Sequence, residues 1–321
     1  MKIFRSLSIL LLGVAFYSCD APRSNPLDPQ NPNYQLVSLD GHITTKNVSP
    51  QPISGVNVLW KPQDIFFTTD ASGYFKIDDL PKQNGWLYFQ KDGFSNDSTL
   101  IQWNNQKNIH VEVSLNSIPR LDSLSIYTTV ENRYPDVQKI RLTIQAKVSD
   151  VEGDVDSVFV VCNQLNFSKQ LNLGQSTNLY QNDFSQTDFG LSSMEEAIGK
   201  NFNIVVKDKQ KRVFNVGSST IKRIIKEEVL PQSPLNKQIV GSTPTLRWTR
   251  FLPGFNFRYM VQIYTDEVSP VLVWQKDNIS KDDIQILSGA TLSVGDYFWV
   301  VWCIDDFQDR GRSKPASFVV Q

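Results

Sequence analysis

Between Leu36 and Val320 the chain alternates apolar and polar residues with a period of two, and turn-forming residues interrupt it roughly every 8–12 positions. A period of two sends successive side chains to opposite faces of an extended strand, so one face can be buried while the other is wetted. Many short strands at that spacing pack as two-layered sandwiches. The alternating stretch is far longer than the roughly 100 residues that fill one sandwich. It predicts an all-β chain of three tandem β-sandwich domains, at 36–116, 117–228 and 229–321. Hydrophobic residues at 40% suffice for packed cores, and 16 Gly with 16 Pro exclude collagen-like or low-complexity material.

The segment ahead of the alternation is different. Lys2 and Arg5 precede an apolar run, Leu7 to Phe16, broken only by Ser8 and Gly13. Ten helical residues reach about 15 Å, half of a bilayer's hydrocarbon core, so residues 1–18 read as a cleaved secretory signal and not as a span. Every other apolar run is strand-length. Residues 19–35 carry Pro22, Pro26, Pro29 and Pro32, which favour an extended tether of about 3.1 Å per residue. Such a tether would lift the first domain roughly 40 Å off a membrane.

The stretch Ala15-Phe16-Tyr17-Ser18-Cys19 resembles a bacterial lipoprotein signal with a loose lipobox. That resemblance implies cleavage before Cys19 and acylation of its thiol and new amino group. Two or three chains anchor stably where one holds only marginally. The string Asn25-Pro26-Leu27-Asp28-Pro29 is similar to the post-cysteine segment of Bacteroidota-type lipoproteins. The implied partner is a lipid bilayer, reached through Cys19, and the implied address is the cell envelope at the outer membrane. Asp20 is the lone acid directly after the cysteine, which leaves the periplasmic and outer faces both open.

Within the first domain, Gly41-His42-Ile43, Pro52 to Val58, Thr69-Asp70-Ala71-Ser72-Gly73-Tyr74-Phe75 and Leu80-Pro81 follow one another. Asp70 to Gly73 predicts a tight hairpin, with Asp capping the turn and Gly taking the positive φ. This stretch resembles the carboxypeptidase regulatory-like domain, a small transthyretin-like sandwich that is usually structural or adhesive. In the second domain, strands are expected at Ile140–Val148, Ser157–Cys162 and Phe202–Val206, with a short helix at Ser193–Ile198 capped by Ser192 and Glu195 and ended by Gly199. Its segment Ala146 to Val158 resembles strand–loop–strand units of Ig-like or cadherin-like domains. In the third, Thr245-Leu246-Arg247-Trp248, Arg258 to Tyr264 and Leu292-x-x-Gly295-x-Tyr297-x-Trp299-x-Val301-x-Cys303 resemble three strands of a fibronectin type III domain. The resemblance implies that Tyr297 is a corner tyrosine bonded back to main chain.

The sequence lacks several catalytic signatures. Only His42 and His110 are present, and neither begins His-x-x-Glu or His-Glu-x-x-His, so zinc-protease chemistry has no ligand motif. Neither Gly-x-Gly nor Gly-x-Ser-x-Gly occurs. With 32 Lys+Arg against 33 Asp+Glu the net charge is −1, and it is −3 once Lys2 and Arg5 are removed. That balance argues against nucleic acid as a partner. Beyond Cys19 only Cys162 and Cys303 remain, expected as buried thiols and not a disulfide framework.

Two constellations stand out. Asp150, Glu152, Asp154 and Asp156 recur at every second position around Gly153. They are either ligands for Ca2+, which takes six to eight oxygens, or turn-capping acids of a solvated hairpin. No other cofactor is implied. In the third domain, strand parity sends Phe298, Val300, Trp302 and Ile304 away from the core, with Met260 and Tyr264 on the neighbouring strand and Trp274 beside them. That aromatic face would pack on the second domain, or meet an envelope protein or a glycan. Trp60, Trp86 and Trp103 are expected to be partial core, and Lys207, Lys209, Lys211 and Arg212 an edge-strand guard or solvated loop. The sum is a non-catalytic envelope lipoprotein that presents sandwiches for binding, adhesion or scaffolding. Alternatives are a calcium-dependent or carbohydrate-binding surface protein, or an accessory module of an envelope enzyme or export complex.

Overall fold

The computed structural model describes residues 36–321; Cys19, the signal and the tether expected over 1–35 lie outside the described residues. The chain divides into two compact units, the first ending at Ile118 and the second running from Pro119 to Gln321. Strands dominate both. The helical elements among the described residues are 3-10 turns of three or four residues, and none is long and apolar enough to cross a membrane. The chain is an all-β protein built of sandwiched sheets.

The first unit contains β1 (Leu36–Thr45), β2 (Asn57–Trp60), β3 (Ile65–Thr68), β4 (Tyr74–Pro81), β5 (Gly85–Gln90), β6 (Asp97–Ile101) and β7 (Asn108–Leu115). They form two sheets, ordered β4-β1-β7 and β3-β2-β5-β6. Leu39 and Ile43 from one sheet and Trp60, Leu87 and Phe89 from the other are fully buried between them. Each such side chain contributes about 1.5–3 kcal/mol on leaving water. The expected hairpin joins the strands: Ser72 and Tyr74 N–H groups donate to Asp70 Oδ1 at 2.8 and 3.0 Å, and Gly73 sits at φ +73°. β1 pairs antiparallel with β4 but parallel with β7. Gly41 permits the close β1–β7 approach, because a Cβ there would lie 2.2 Å from the Val111 carbonyl oxygen.

In the second unit, β8 (Arg120–Arg133), β9 (Val137–Ser149), β10 (Val155–Cys162), β11 (Phe167–Leu173), β12 (Leu179–Phe184), β13 (Asn201–Asp208) and β14 (Val213–Thr220) form the hydrogen-bonded path β14-β13-β10-β11-β12-β9-β8. Alternate residues of β9, β10, β11 and β13 share one core, so the path must curl around it. The short helix expected at Ser193–Ile198 is a 3-10 segment, Met194–Ala197. Its capping box is Ser193 with Glu196, one residue later than predicted; Ser192 donates to Glu196, and Glu195 instead pairs with Lys226.

The remaining strands are β15 (Pro231–Ser233), β16 (Gln238–Val240), β17 (Thr245–Trp248), β18 (Phe257–Thr265), β19 (Leu272–Ser280), β20 (Gln285–Leu287), β21 (Gly295–Asp305), β22 (Arg310–Arg312) and β23 (Ala316–Val320). Sheet β15-β17-β20 faces the larger sheet centred on β21 and β18 over a second core containing Trp248, Tyr259 and Trp299. The Tyr297 hydroxyl donates to the Ser293 carbonyl at 3.0 Å, the corner bond expected from the sequence. Cys162 and Cys303 are buried free thiols, and burial pushes Cys303 up to about 12. β22 also pairs in parallel with β8, so one ladder runs from β14 to β19 through both cores of this unit.

Candidate functional site

The four acids around Gly153 do not form a gathered ligand set. Asp154 is buried, and its N–H donates to Asp150 Oδ2 at 3.1 Å. Asp156 accepts from the Ser157 hydroxyl at 3.1 Å. Burial first, then the charges of Asp150 and Asp208, hold Asp154 above the usual carboxylate range. Among the described residues, the group of three ligand-bearing side chains with atoms within 4.8 Å of one another is His42, His110 and Glu112. Asp150 caps the bend through the Asp154 N–H, while Asp156 lies on β10.

The aromatic face expected on the third domain is covered. Met260 and Trp302 are each only 8% exposed, and Val300 is fully buried. Together with Ile304 they form a small apolar cluster against which Tyr264 and Phe298 stack, ring centroids 5.3 Å apart. Trp302 Nε1 donates to Gln262 Oε1 at 2.7 Å, and the Arg312 guanidinium lies 5.7 Å from the Trp302 ring centroid. Trp274 is not beside them; it packs against the core on the opposite face of the sheet. Parity gave the direction of these side chains correctly, but direction is not exposure in a strand buried on both faces.

An exposed aromatic face lies on the first unit. Leu87 and Phe89 of β5 point into the core, so Trp86 and Tyr88 point out, at 45% and 42% exposure. Leu59 pairs laterally with both Tyr88 and Phe66, and Trp86 pairs with Leu100. Phe66, Leu59, Tyr88, Trp86 and Leu100 thus form a strip across four strands. Trp60 and Trp103 are core, as expected, but Trp86 is not. Its signal was the Trp-x-Tyr alternation against Leu-x-Phe.

The outer face of the other sheet in this unit carries a polar ladder. Asp40 faces His110 and His42 faces Glu112 across β1 and β7. Asp40 Oδ2 lies 2.6 Å from His110 Nδ1, Glu112 Oε1 lies 2.9 Å from His110 Nε2, and His42 Nδ1 is 3.7 Å from Glu112 Oε1. Hydrogen bonds donated to Glu112 and then to Asp40 hold His110 above its ordinary range. Sequence reading missed this group because the two strands pair in parallel, with Asp40 and His110 70 positions apart.

A third feature is a polar groove of about 560 Å³ over β8, β9, β11 and β12. Leu142, Ile144 and Ala146 of β9 are buried, which turns Arg141, Thr143 and Gln145 outward. Gln145 donates to Gln181 at 3.0 Å, Thr143 to Asp183 at 2.6 Å and Asn172 to Asn182 at 2.8 Å. Tyr127 borders the groove with the Arg310 guanidinium 4.4 Å from its ring centroid. The predicted basic cluster lies at the β13–β14 turn, where Arg212 is committed to buried Asp208 at 2.7 Å.

No curated protein sequence matches the chain. It is similar in structure to BcpA, the major pilin subunit of Bacillus cereus, at 10% identity and TM-score 0.28, over 89% of this chain and 95% of that one. It is similar to the fibronectin(III)-like modules of Clostridium thermocellum CbhA, at 16% identity and TM-score 0.31, over 63% and 93%. The chicken CNTN1 FN1–FN3 domains give 9% identity and TM-score 0.33, over 83% and 90%. Residues 39–123 match the family model of the CarboxypepD_reg-like domain.

Proposed function

We propose that this chain is a non-catalytic lipoprotein of the bacterial cell envelope, acylated at Cys19, whose sandwich domains bind a partner for adhesion or scaffolding. The observation that carries the binding role is the strip of Phe66, Leu59, Tyr88, Trp86 and Leu100. Contiguous apolar side chains on an outer sheet face cost solubility, and Trp and Tyr are the side chains that contribute most at contact sites. The anchor rests on the short apolar run followed by Ser18-Cys19. The match of residues 39–123 to a regulatory-like domain family is consistent with a module that binds and does not catalyse.

The test is crosslinking in cells followed by co-purification, with the full chain and with Trp86→Ala/Tyr88→Ala. Loss of the captured envelope protein in the variant, with an unchanged melting curve, supports the reading. Undiminished capture refutes the strip as the contact. Metabolic labelling with a clickable fatty acid tests the anchor; label surviving in Cys19→Ala refutes it.

A glycan is the second reading, favoured by the groove over β8, β9, β11 and β12. Its amides both donate and accept, matching sugar hydroxyls. A glycan array separates the readings: binding abolished by Gln145→Ala and indifferent to Trp86→Ala would put the ligand in the groove.

A further inference from the structure

We propose that His42, His110 and Glu112 form a binding site for one divalent transition-metal ion, with Zn2+ as the type ion, and that Asp40 orients His110 for it. The chain has two histidines in 321 residues, and the fold brings both to one spot on the outer face of sheet β4-β1-β7. Their ring centroids are 5.6 Å apart. Zinc takes nitrogen and oxygen ligands at about 2.0–2.2 Å in tetrahedral array, which spaces the ligand atoms about 3.4 Å from one another. The observed spacings of Glu112 Oε1, 2.9 Å to His110 Nε2 and 3.7 Å to His42 Nδ1, bracket that value. All three ligand atoms lie within 4.8 Å of one another, so an ion enters by small side-chain rotations at the exposed face.

The donor set chooses the class of ion. Two imidazoles with one carboxylate suit zinc, copper or nickel, whereas calcium and magnesium demand oxygen shells. Asp40 completes the argument. It accepts from His110 Nδ1–H at 2.6 Å, which keeps a proton on Nδ1 when Nε2 exchanges its own for the ion. Carboxylate–histidine pairs of this kind surround metal ligands generally. The frame is stiff, because Asp40↔His110 and His42↔Glu112 are alternate rungs of one parallel ladder, flanking the Gly41↔Val111 rung whose close approach Gly41 permits. Binding exchanges the proton shared between His110 and Glu112 for the ion, and the released proton goes to solvent. With three protein ligands, the fourth tetrahedral position is left to water.

The experiment is calorimetric titration of Zn2+ into the full chain at neutral pH, carrying Cys19→Ala so that its thiol does not compete. Saturable uptake of one ion is expected. It should be lost in His42→Ala and in His110→Gln, and weakened about 10–100-fold in Asp40→Asn, the range for an orienting carboxylate. Melting curves of the metal-free variants establish that each is folded; His110→Gln keeps a polar side chain of similar reach. A zinc-dependent rise in melting temperature should appear in the wild type and vanish in both histidine variants. Absence of saturable uptake, or uptake that survives His42→Ala, would overturn the site. Uptake by the wild type that is unchanged in Asp40→Asn would overturn the orienting role.

Discussion

Asp309 accepts hydrogen bonds from both the backbone N–H and the hydroxyl of Thr128, at 2.7 and 2.9 Å, across 181 residues of chain. Both residues are fully buried. The Arg223 N–H reaches the other oxygen of Asp309 at 3.3 Å, and the Thr128 hydroxyl proton is shared with the Arg223 carbonyl, also 2.9 Å from Oγ1. The carboxylate thus ties β8 and the segment after β14 to the turn before β22. Removing an acceptor from buried donors costs about 1–3 kcal/mol per orphaned group. Asp309→Ala is expected to lower the stability of the second unit by about 2–4 kcal/mol. Urea unfolding followed by hydrogen exchange should then show its two cores opening separately, where the wild type opens them together.

The same group makes stability depend on pH. Burial pushes Asp309 up to about 6 from 3.8, against the hydrogen bonds that favour its ionised form. A carboxyl raised in the folded state binds its proton more tightly there than in the unfolded chain. Its contribution is full below about pH 3.8, and is lost as pH rises through about 6. The gap corresponds to about 3 kcal/mol. Glu131 acts in the opposite sense: burial opposes its ionisation, but Arg133, Arg312 and Arg141 outweigh that and hold it below its usual range. The measurement is therefore a difference. The urea stability of the wild type minus that of Asp309→Asn should fall between pH 4 and 6, and a flat difference would refute the assignment.

Trp302 was legible as an outward-pointing aromatic, with packing inside the protein and contact with a partner both left open; it is buried. Its indole donates to Gln262, and Met260 and Val300 surround it. Large-to-small substitution of a buried Trp costs about 3–5 kcal/mol. Trp302→Ala should therefore lower the denaturation midpoint sharply, while Trp86→Ala on the exposed strip should shift it little. Equal effects at the two positions would contradict the burial pattern.

Local pattern was enough for the strands and the Asp70–Gly73 hairpin, because each depends on neighbours in sequence; the Tyr297 corner came instead from the fibronectin type III resemblance. The strand predicted at 140–148 sits inside β9, and Thr245–Trp248 is β17 itself. What stayed hidden depends on pairing at long range. The approach of His42 to His110 follows from a parallel crossover that no turn signal announces. Likewise, Trp299 to Asp305 are buried on both faces of β21, with Val300, Trp302 and Ile304 clustered with Met260 of β18 on the outer one. Period-2 alternation distinguishes two faces of a strand; it carries no information on what covers the second one.

Gly41 gives the sharpest test of the first unit. A methyl group at this position would meet the Val111 carbonyl oxygen at 2.2 Å and Val111 Cγ2 at 2.7 Å, and the oxygen belongs to backbone already held in the β1–β7 ladder. The strands must separate or the ladder must shift. Overpacking of this kind costs about 1–3 kcal/mol. The two compact units have separate cores, so the penalty should stay in the first. Gly41→Ala should speed amide exchange in β1 and β7 and leave β18 and β21 unchanged. It should also weaken zinc uptake, since the rungs bearing His42 and His110 flank the substituted position. Protection unchanged in β1 and β7 would mean that the close approach of these strands does not depend on Gly41.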